Sequence, residues 1–316
     1  MVEDQRVENG FDPKALKETI ASAIKTCLLL FFVQFIVMYF GSSFIVFLPI
    51  DYASVMRITT IWELVTSVVA ALCAILYGAR KFNIKVRKLL DVKQFSWKWL
   101  GKGVAMHYSI SFLSGLIIVV LNLFLALFFN SSIPEVEVTS PNAFYLIMNL
   151  LSVGVVAGVS EEIIFRGMIC NSLARYNKGF AVVVSALIFS IMHMNLDQGI
   201  PAFFVGICFG YIYLRSGSLL VTISLHVLNN FFAVLITAVG DGAMATILSV
   251  LLVVLVVCGC YLWYKERKEV SAMITLCSQA TKEWATLFRS CWFWFVAAAF
   301  ALLVFLSLFI SIFTMI

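Results

Sequence analysis

The sequence predicts an all-α, polytopic membrane protein: a bundle of about eight or nine transmembrane helices enclosing an intramembrane polar cavity. Three observations carry that expectation. Of 316 residues, 62% are hydrophobic and only 12% charged, with a mean hydropathy of +1.03, whereas about a quarter of a soluble domain is charged. The apolar residues gather in blocks of the ~20-residue length that a membrane crossing requires. Finally, a few ionisable residues stand inside those blocks, where each costs about 2.5–3.5 kcal/mol on insertion scales and needs a partner or a purpose. The net charge of +5 comes from basic residues beside apolar spans. That is a topology signal, so nucleic acid is not expected as a partner and the lipid bilayer is.

In chain order, residues 1–25 form a polar N-terminal segment. Within it Asp12-Pro13 reads as an N-cap and first-turn proline opening a short amphipathic helix that leads into the membrane. No small-residue cleavage site follows the first apolar run, which is therefore expected to remain as a span. Spans are expected at 26–48, 58–79, 103–129, 143–175, 180–195, 201–215, 219–239, 244–264 and 291–314, of which 201–215 is short and 143–175 long. These divide into an N-terminal helical part (26–142), a core (143–240) and C-terminal helices with a mixed-charge linker (241–316).

The loop 80–102 carries Arg80, Lys81, Lys85, Arg87, Lys88, Lys93, Lys98 and Lys102 against Asp91 alone, while 130–142, "NSSIPEVEVTSPN", has no Lys or Arg. Basic loops stay in the cytoplasm. The N-terminus, 80–102, Arg175, Lys178, Arg215 and the linker are thus expected inside, and Asp197 and Asp241 outside. Eight cysteines without a C-x-x-C spacing read as thiols acting as small hydrophobes.

Between 143 and 239, Glu161, Glu162, Arg166, His193 and His226 fall within apolar helical pattern. Glu162 and Arg166 are four apart in the favourable order for an ion pair on one helix face. Glu161 points about 100° away and has Phe165 as its own i+4 neighbour, so its partner must lie on another helix or in a watered cavity. Counting ~1.5 Å per residue from the expected inner interface puts Glu161 and His193 at ~21 Å, His226 at ~14 Å and Asn230 at ~20 Å. Each alone has a plain structural reading: an ion pair, or histidines and an asparagine joining helices. His107, in "AMHYS", belongs to no cluster and is read as structural.

Together they describe a chemistry. A carboxylate in a low-dielectric cavity can act as a general base near neutral pH. Histidine and amide donors facing it could stabilise the oxyanion of amide hydrolysis. Neither H-E-x-x-H nor G-x-S-x-G occurs. Glu161, His193 and His226 would equally supply three ligands to a catalytic zinc, an option the spacing leaves open.

Glu161-Glu162-x-x-x-Arg166, then Phe189-x-x-x-His193 ("FSIMH"), then His226-x-x-x-Asn230 ("HVLNN") resemble, in order, the three motifs of the CPBP family. That family comprises the CAAX-protease and bacteriocin-processing (Abi) intramembrane endopeptidases, and the resemblance covers about 143–240. It implies Glu161 as the base that activates water, His193 assisting, and His226 and Asn230 as the oxyanion site. Glu162 and Arg166 would shape the surroundings of Glu161, and Phe189 would line the pocket beside His193. A metal-independent glutamic mechanism, with no cofactor, is implied. So is a helical bundle around a conical cavity reachable from cytosol and lipid.

The expected function is thus an intramembrane endopeptidase acting on a membrane-associated peptide or protein. Two other classes compete with it: a non-proteolytic scaffold or regulator of a sensor kinase or transporter, and an ion-coupled transporter. A prenylated substrate would require a eukaryotic or archaeal host; the compact chain suggests a bacterial plasma-membrane protein.

Overall fold

The computed structural model describes residues 11–129, 132–133, 142–236 and 242–314. Most of the 130–142 loop, Asp241 and the first ten residues, on which part of the topology argument rests, lie outside these. All regular structure among the described residues is helical. Among the described residues eight helices are long and apolar enough to cross a membrane, and the protein is a multi-pass membrane protein.

Helix α1 (Pro13–Val46) is capped by Asp12, whose carboxylate accepts from the Lys14 and Ala15 amides at 2.9 and 3.1 Å. It runs without a break through the stretch expected as a separate amphipathic helix. Its first half is buried through Leu16, Ile20, Ala23, Ile24 and Cys27, whereas Phe35, Tyr39, Phe40 and Phe44 farther on are exposed. Asp51 caps α2 (Tyr52–Lys81), which packs along α1 and ends in Arg80 and Lys81. Helix α3 (Trp97–Phe129) follows the basic loop.

The long segment expected at 143–175 is helix α4 (Ala143–Leu173), capped by Asn142. Two stretches of it, Leu150–Ala157 and Ile163–Cys170, are wound as wider π-helix. Such widening is rare and concentrates at functional sites.

The next two spans differ from expectation. Helix α5 (Lys178–Ile191) has 14 residues, ~21 Å, too short for a full crossing. Helix α6 (Leu196–Ser216) has 21 and begins five residues before Pro201. The boundary moves because Asn195 caps α6, accepting from the Gln198 amide at 2.8 Å, after Met194 has turned the chain at φ +56°. Asn195 Nδ2 donates to the His193 carbonyl and Ser190 Oγ to that of Gly199, which satisfies the turn internally, as apolar surroundings demand. His193 therefore stands in a turn and not in a helix.

Gly217, left-handed at φ +68°, ends α6, and α7 (Leu219–Ile236) starts two residues later. Helix α8 (Ala243–Lys265) packs against α3 so closely that a Cβ on Gly259 would overlap the Ala105 carbonyl oxygen. The mixed-charge linker folds as α9 (Arg267–Gln279), packed on α5, and α10 (Thr281–Phe288); α11 (Cys291–Thr314) ends the chain. Of the eight free cysteines, Cys27, Cys170 and Cys208 are buried as small hydrophobes, whereas Cys258, Cys260 and Cys291 are exposed.

At the basic end, Glu266 joins three helices. Lys102 Nζ donates to it at 2.8 Å, the Tyr211 hydroxyl at 2.9 Å and Arg215 at 3.3 Å. Burial alone would raise the Glu266 carboxyl. The Lys102 and Tyr211 hydrogen bonds, with the Lys102 and Arg215 charges, outweigh it and hold the carboxyl below its ordinary value of 4.5.

Two expectations follow from this packing. Gly259→Ala forces α3 and α8 apart and lowers stability by about 1–3 kcal/mol, the scale of overpacking a tight contact. Gly115→Ala, mid-helix with nothing within 4 Å of its Cβ, leaves stability the same or raises it; melting temperatures in one detergent compare the two. The depressed Glu266 carboxyl contributes stability that is complete above pH 4.5 and is lost as pH falls through its folded value. Glu266→Gln should flatten that part of a melting-temperature-against-pH curve.

Candidate active site

Helix α4 supplies both glutamates, and one helical step separates their environments. Glu162 is 0% exposed and Arg166 1%. Arg166 Nη1 donates to Glu162 Oε1 at 2.6 Å, the i,i+4 pair legible in the sequence. The guanidinium lies 4.8 Å from the ring centroid of Phe189 on α5 and 5.4 Å from that of Phe209 on α6. Its Nη2 donates to the Gly206 carbonyl at 3.4 Å. Two aromatic faces thus supply to the cation what water would otherwise provide.

The partner of Glu161 is His226 on α7. His226 Nδ1 donates to Glu162 Oε1 at 2.8 Å, and its Nε2 faces Glu161 Oε2 at 3.7 Å. With Nδ1 donating to Glu162, the Nε2 that faces Glu161 is an acceptor in the neutral ring and a donor in the protonated one. The 3.7 Å separation exceeds a hydrogen bond. The side chain of Glu161 is 24% exposed.

That exposure gives onto a groove of about 620 Å³. Glu161, Phe165, Phe189, His193 and Gln198 line one wall, and the upper half of α1, with Phe31, Gln34 and Phe35, lines the other. His193 Nδ1 donates to the Phe189 carbonyl at 2.9 Å, and its ring stands edge-on to Phe189. The proton on Nδ1 turns Nε2 into the acceptor. Glu161 and His193 are therefore brought to one groove by different elements, a helix and a turn.

Asn230 sits differently. Its Nδ2 donates to the Val153 carbonyl at 2.8 Å, two turns along α4 from Glu161, and it is not part of the groove lining. Its amide ends a chain that sequence reasoning missed. His107 Nε2 donates to Asn229 Oδ1 at 2.8 Å, and Asn229 Nδ2 donates to Asn230 Oδ1 at 3.1 Å. His107 is buried with its ring 5.2 Å from Phe209, the ring that also packs 5.8 Å from His226. The signal was available: His107 stands ten residues into α3, ~15 Å along it, a depth close to that of His226.

Glu161, His193 and His226 do not converge as a ligand set. Among the described residues no group of three or more His, Cys, Asp or Glu side chains is placed to hold a metal ion.

Comparison with known proteins bears on the same part of the chain. The family model described as type II CAAX prenyl endopeptidase Rce1-like matches residues 143–232. They span α4 to α7 and contain Glu161, Glu162, Arg166, Phe189, His193, His226 and Asn230. The chain is also 34% identical over 82 residues to a Bacillus subtilis (strain 168) protein named "Putative membrane peptidase YdiL". That match covers 26% of this chain and 34% of the relative, so the chain matches about a third of that protein's length. No solved structure matches significantly.

The buried Glu162–Arg166 pair predicts a mutational asymmetry. Arg166→Met leaves Glu162 buried without its cation and costs about 3–5 kcal/mol. The double change Glu162→Gln with Arg166→Met removes the stranded charge and recovers most of that loss. Unfolding in mixed micelles measures both, and a double variant as unstable as the single one contradicts the assignment.

Proposed function

We propose that this chain is an intramembrane endopeptidase that hydrolyses a peptide bond of a membrane-associated protein or peptide, with Glu161 as the base that activates water. The observation that carries the reading is the placement of Glu161. It alone of the two glutamates opens on the groove, faces Nε2 of His226 and shares the groove with His193. The Rce1-like match and the peptidase relative support the same class.

In the proposed reaction a peptide lies along the groove between α1 and the α5–α6 turn. A water held between Glu161 and His193 loses a proton to the Glu161 carboxylate as its oxygen bonds to the carbonyl carbon. Negative charge developing on the carbonyl oxygen is met by donors on α7. Asn230, which does not line the groove, would have to turn the N–H not given to Val153 toward this charge, and His226 would donate from Nε2 after taking a proton from solvent. The C–N bond then breaks, and the proton held by Glu161 passes to the amine nitrogen that leaves. Glu162 and Arg166 fix the tautomer of His226, and Phe189 sets the His193 ring. No step requires a metal or cofactor. Similarity to a Bacillus subtilis protein supports a bacterial plasma membrane as the location, with the basic end of the bundle, and so the N-terminus, on the cytoplasmic side.

Glu161→Gln keeps the shape of the groove and removes the base. It is expected to lower cleavage by about 10²–10⁴-fold, the usual worth of positioned general-base catalysis. Mass spectrometry of peptide termini in membranes carrying wild type or Glu161→Gln at equal expression reads this out and names the substrate. Cleavage should persist with chelator present. Identical termini from the two membranes, with the host phenotype rescued by the variant, would establish a scaffold instead.

A further inference from the structure

A second concavity, of about 530 Å³, lies at the basic end of the bundle and shares no residue with the groove. Three helices build it: the first turns of α1, the end of α2 and the residues that close α4. Its wall carries three cations, Lys25, Lys81 and Arg175, against one carboxylate, Glu18. Among the described residues none of the three cations makes an ion pair. Cations distant in sequence, one from each helix, are thus held around a single hollow.

A second observation points to a ligand. Ser172 lines the concavity and is only 5% exposed, yet its hydroxyl has no hydrogen-bond partner among the described residues. A serine on a helix commonly donates to the carbonyl four residues back; Ser172 does not. A buried unsatisfied hydroxyl costs free energy, and here it stands where three cations converge. Surface cations that serve only membrane orientation need neither a hollow nor a buried donor.

The level of the hollow narrows the chemistry. Lys25 lies 4.8 Å over the ring of Trp292, at the start of α11, and Tyr176 forms part of the wall. Trp and Tyr gather at the headgroup level of a bilayer. We propose that this concavity binds a phosphate group at the membrane interface, that of an anionic lipid headgroup, with Lys25, Lys81 and Arg175 pairing its charge and the Ser172 hydroxyl donating to one of its oxygens.

The test uses the purified, delipidated full-length chain in neutral detergent, titrated with short-chain phosphatidylglycerol, phosphatidylcholine or inorganic phosphate, with bound ligand counted by native mass spectrometry. Phosphatidylglycerol should be retained over phosphatidylcholine. Lys25→Ala, Lys81→Ala and Arg175→Ala should each weaken retention by roughly fivefold, the worth of one cation near an anionic surface. Ser172→Ala should weaken it too, although it changes no charge. Lys98→Ala, a basic-loop change away from the hollow, should have no effect. Lys25, Lys81 and Arg175 are exposed, so these variants should retain the fold. If inorganic phosphate follows the same variant pattern and the lipid does not, the phosphate site stands and its source is soluble. Retention that is equal in all variants, or that falls as much for Lys98→Ala as for Lys25→Ala while Ser172→Ala has no effect, overturns the proposal.

Discussion

Everything around the groove depends on one buried cation. Arg166 is the largest fully buried side chain among the described residues, and it is held by an ion pair on its own helix, two aromatic rings on α5 and α6 and a backbone carbonyl. Burying a guanidinium and a carboxylate together costs desolvation that their attraction repays only when geometry and further hydrogen bonds are good. Here the further bonds come from other helices, so satisfying the charge is the same act as assembling α4, α5, α6 and α7. Lipid offers no hydrophobic drive between helices, and interhelical polar contacts and close packing have to replace it.

Close packing is visible at the same place. A Cβ on Gly206 would stand 2.9 Å from Ala186 Cβ, and the carbonyl of that same glycine accepts from Arg166. A small residue there lets α5 approach α6 and lets the guanidinium reach the α6 backbone. The resulting hairpin is short because α5 ends at Ile191, and its turn carries His193 into the bundle. On the other side the buried residues of α1 lie in its first half, apart from Ile45 near its end. The gap between the standing-off half of α1 and the hairpin turn is the groove.

Much of this was legible in the sequence, for definable reasons. The apolar blocks, the Asp12 cap and the Glu162–Arg166 pair are local, and local rules of length, capping and helical spacing suffice for them. The need of Glu161 for a partner on another helix was also legible, because its own helix offered none. What escaped was set by contacts across helices or by turn chemistry inside an apolar run. The break expected at 196–200 falls instead at 192–195, because Asn195 caps α6, and this moves His193 from a helix to a turn. Helices α9 and α10 read as linker because their mixed charge hides the apolar face that buries Ala280 and Leu287. His107 and Asn229 were passed over because each looked isolated along the chain, and only the packing of α3 on α6 and α7 joins them to Asn230.

The adjacency of the two glutamates then has a physical reading. A single carboxylate cannot both neutralise a buried arginine and remain available to a water, since the ion pair that holds it also fixes its charge. Two carboxylates one residue apart diverge by about 100° around the helix. Once Arg166 locks Glu162 toward the core, Glu161 is turned to the groove. His226 reaches in both directions, with Nδ1 on the locked carboxylate and Nε2 toward the open one. The locked pair thereby sets the tautomer of the imidazole that the open carboxylate meets. The charge that organises the bundle and the base proposed to act in it are separate groups, coupled through one ring.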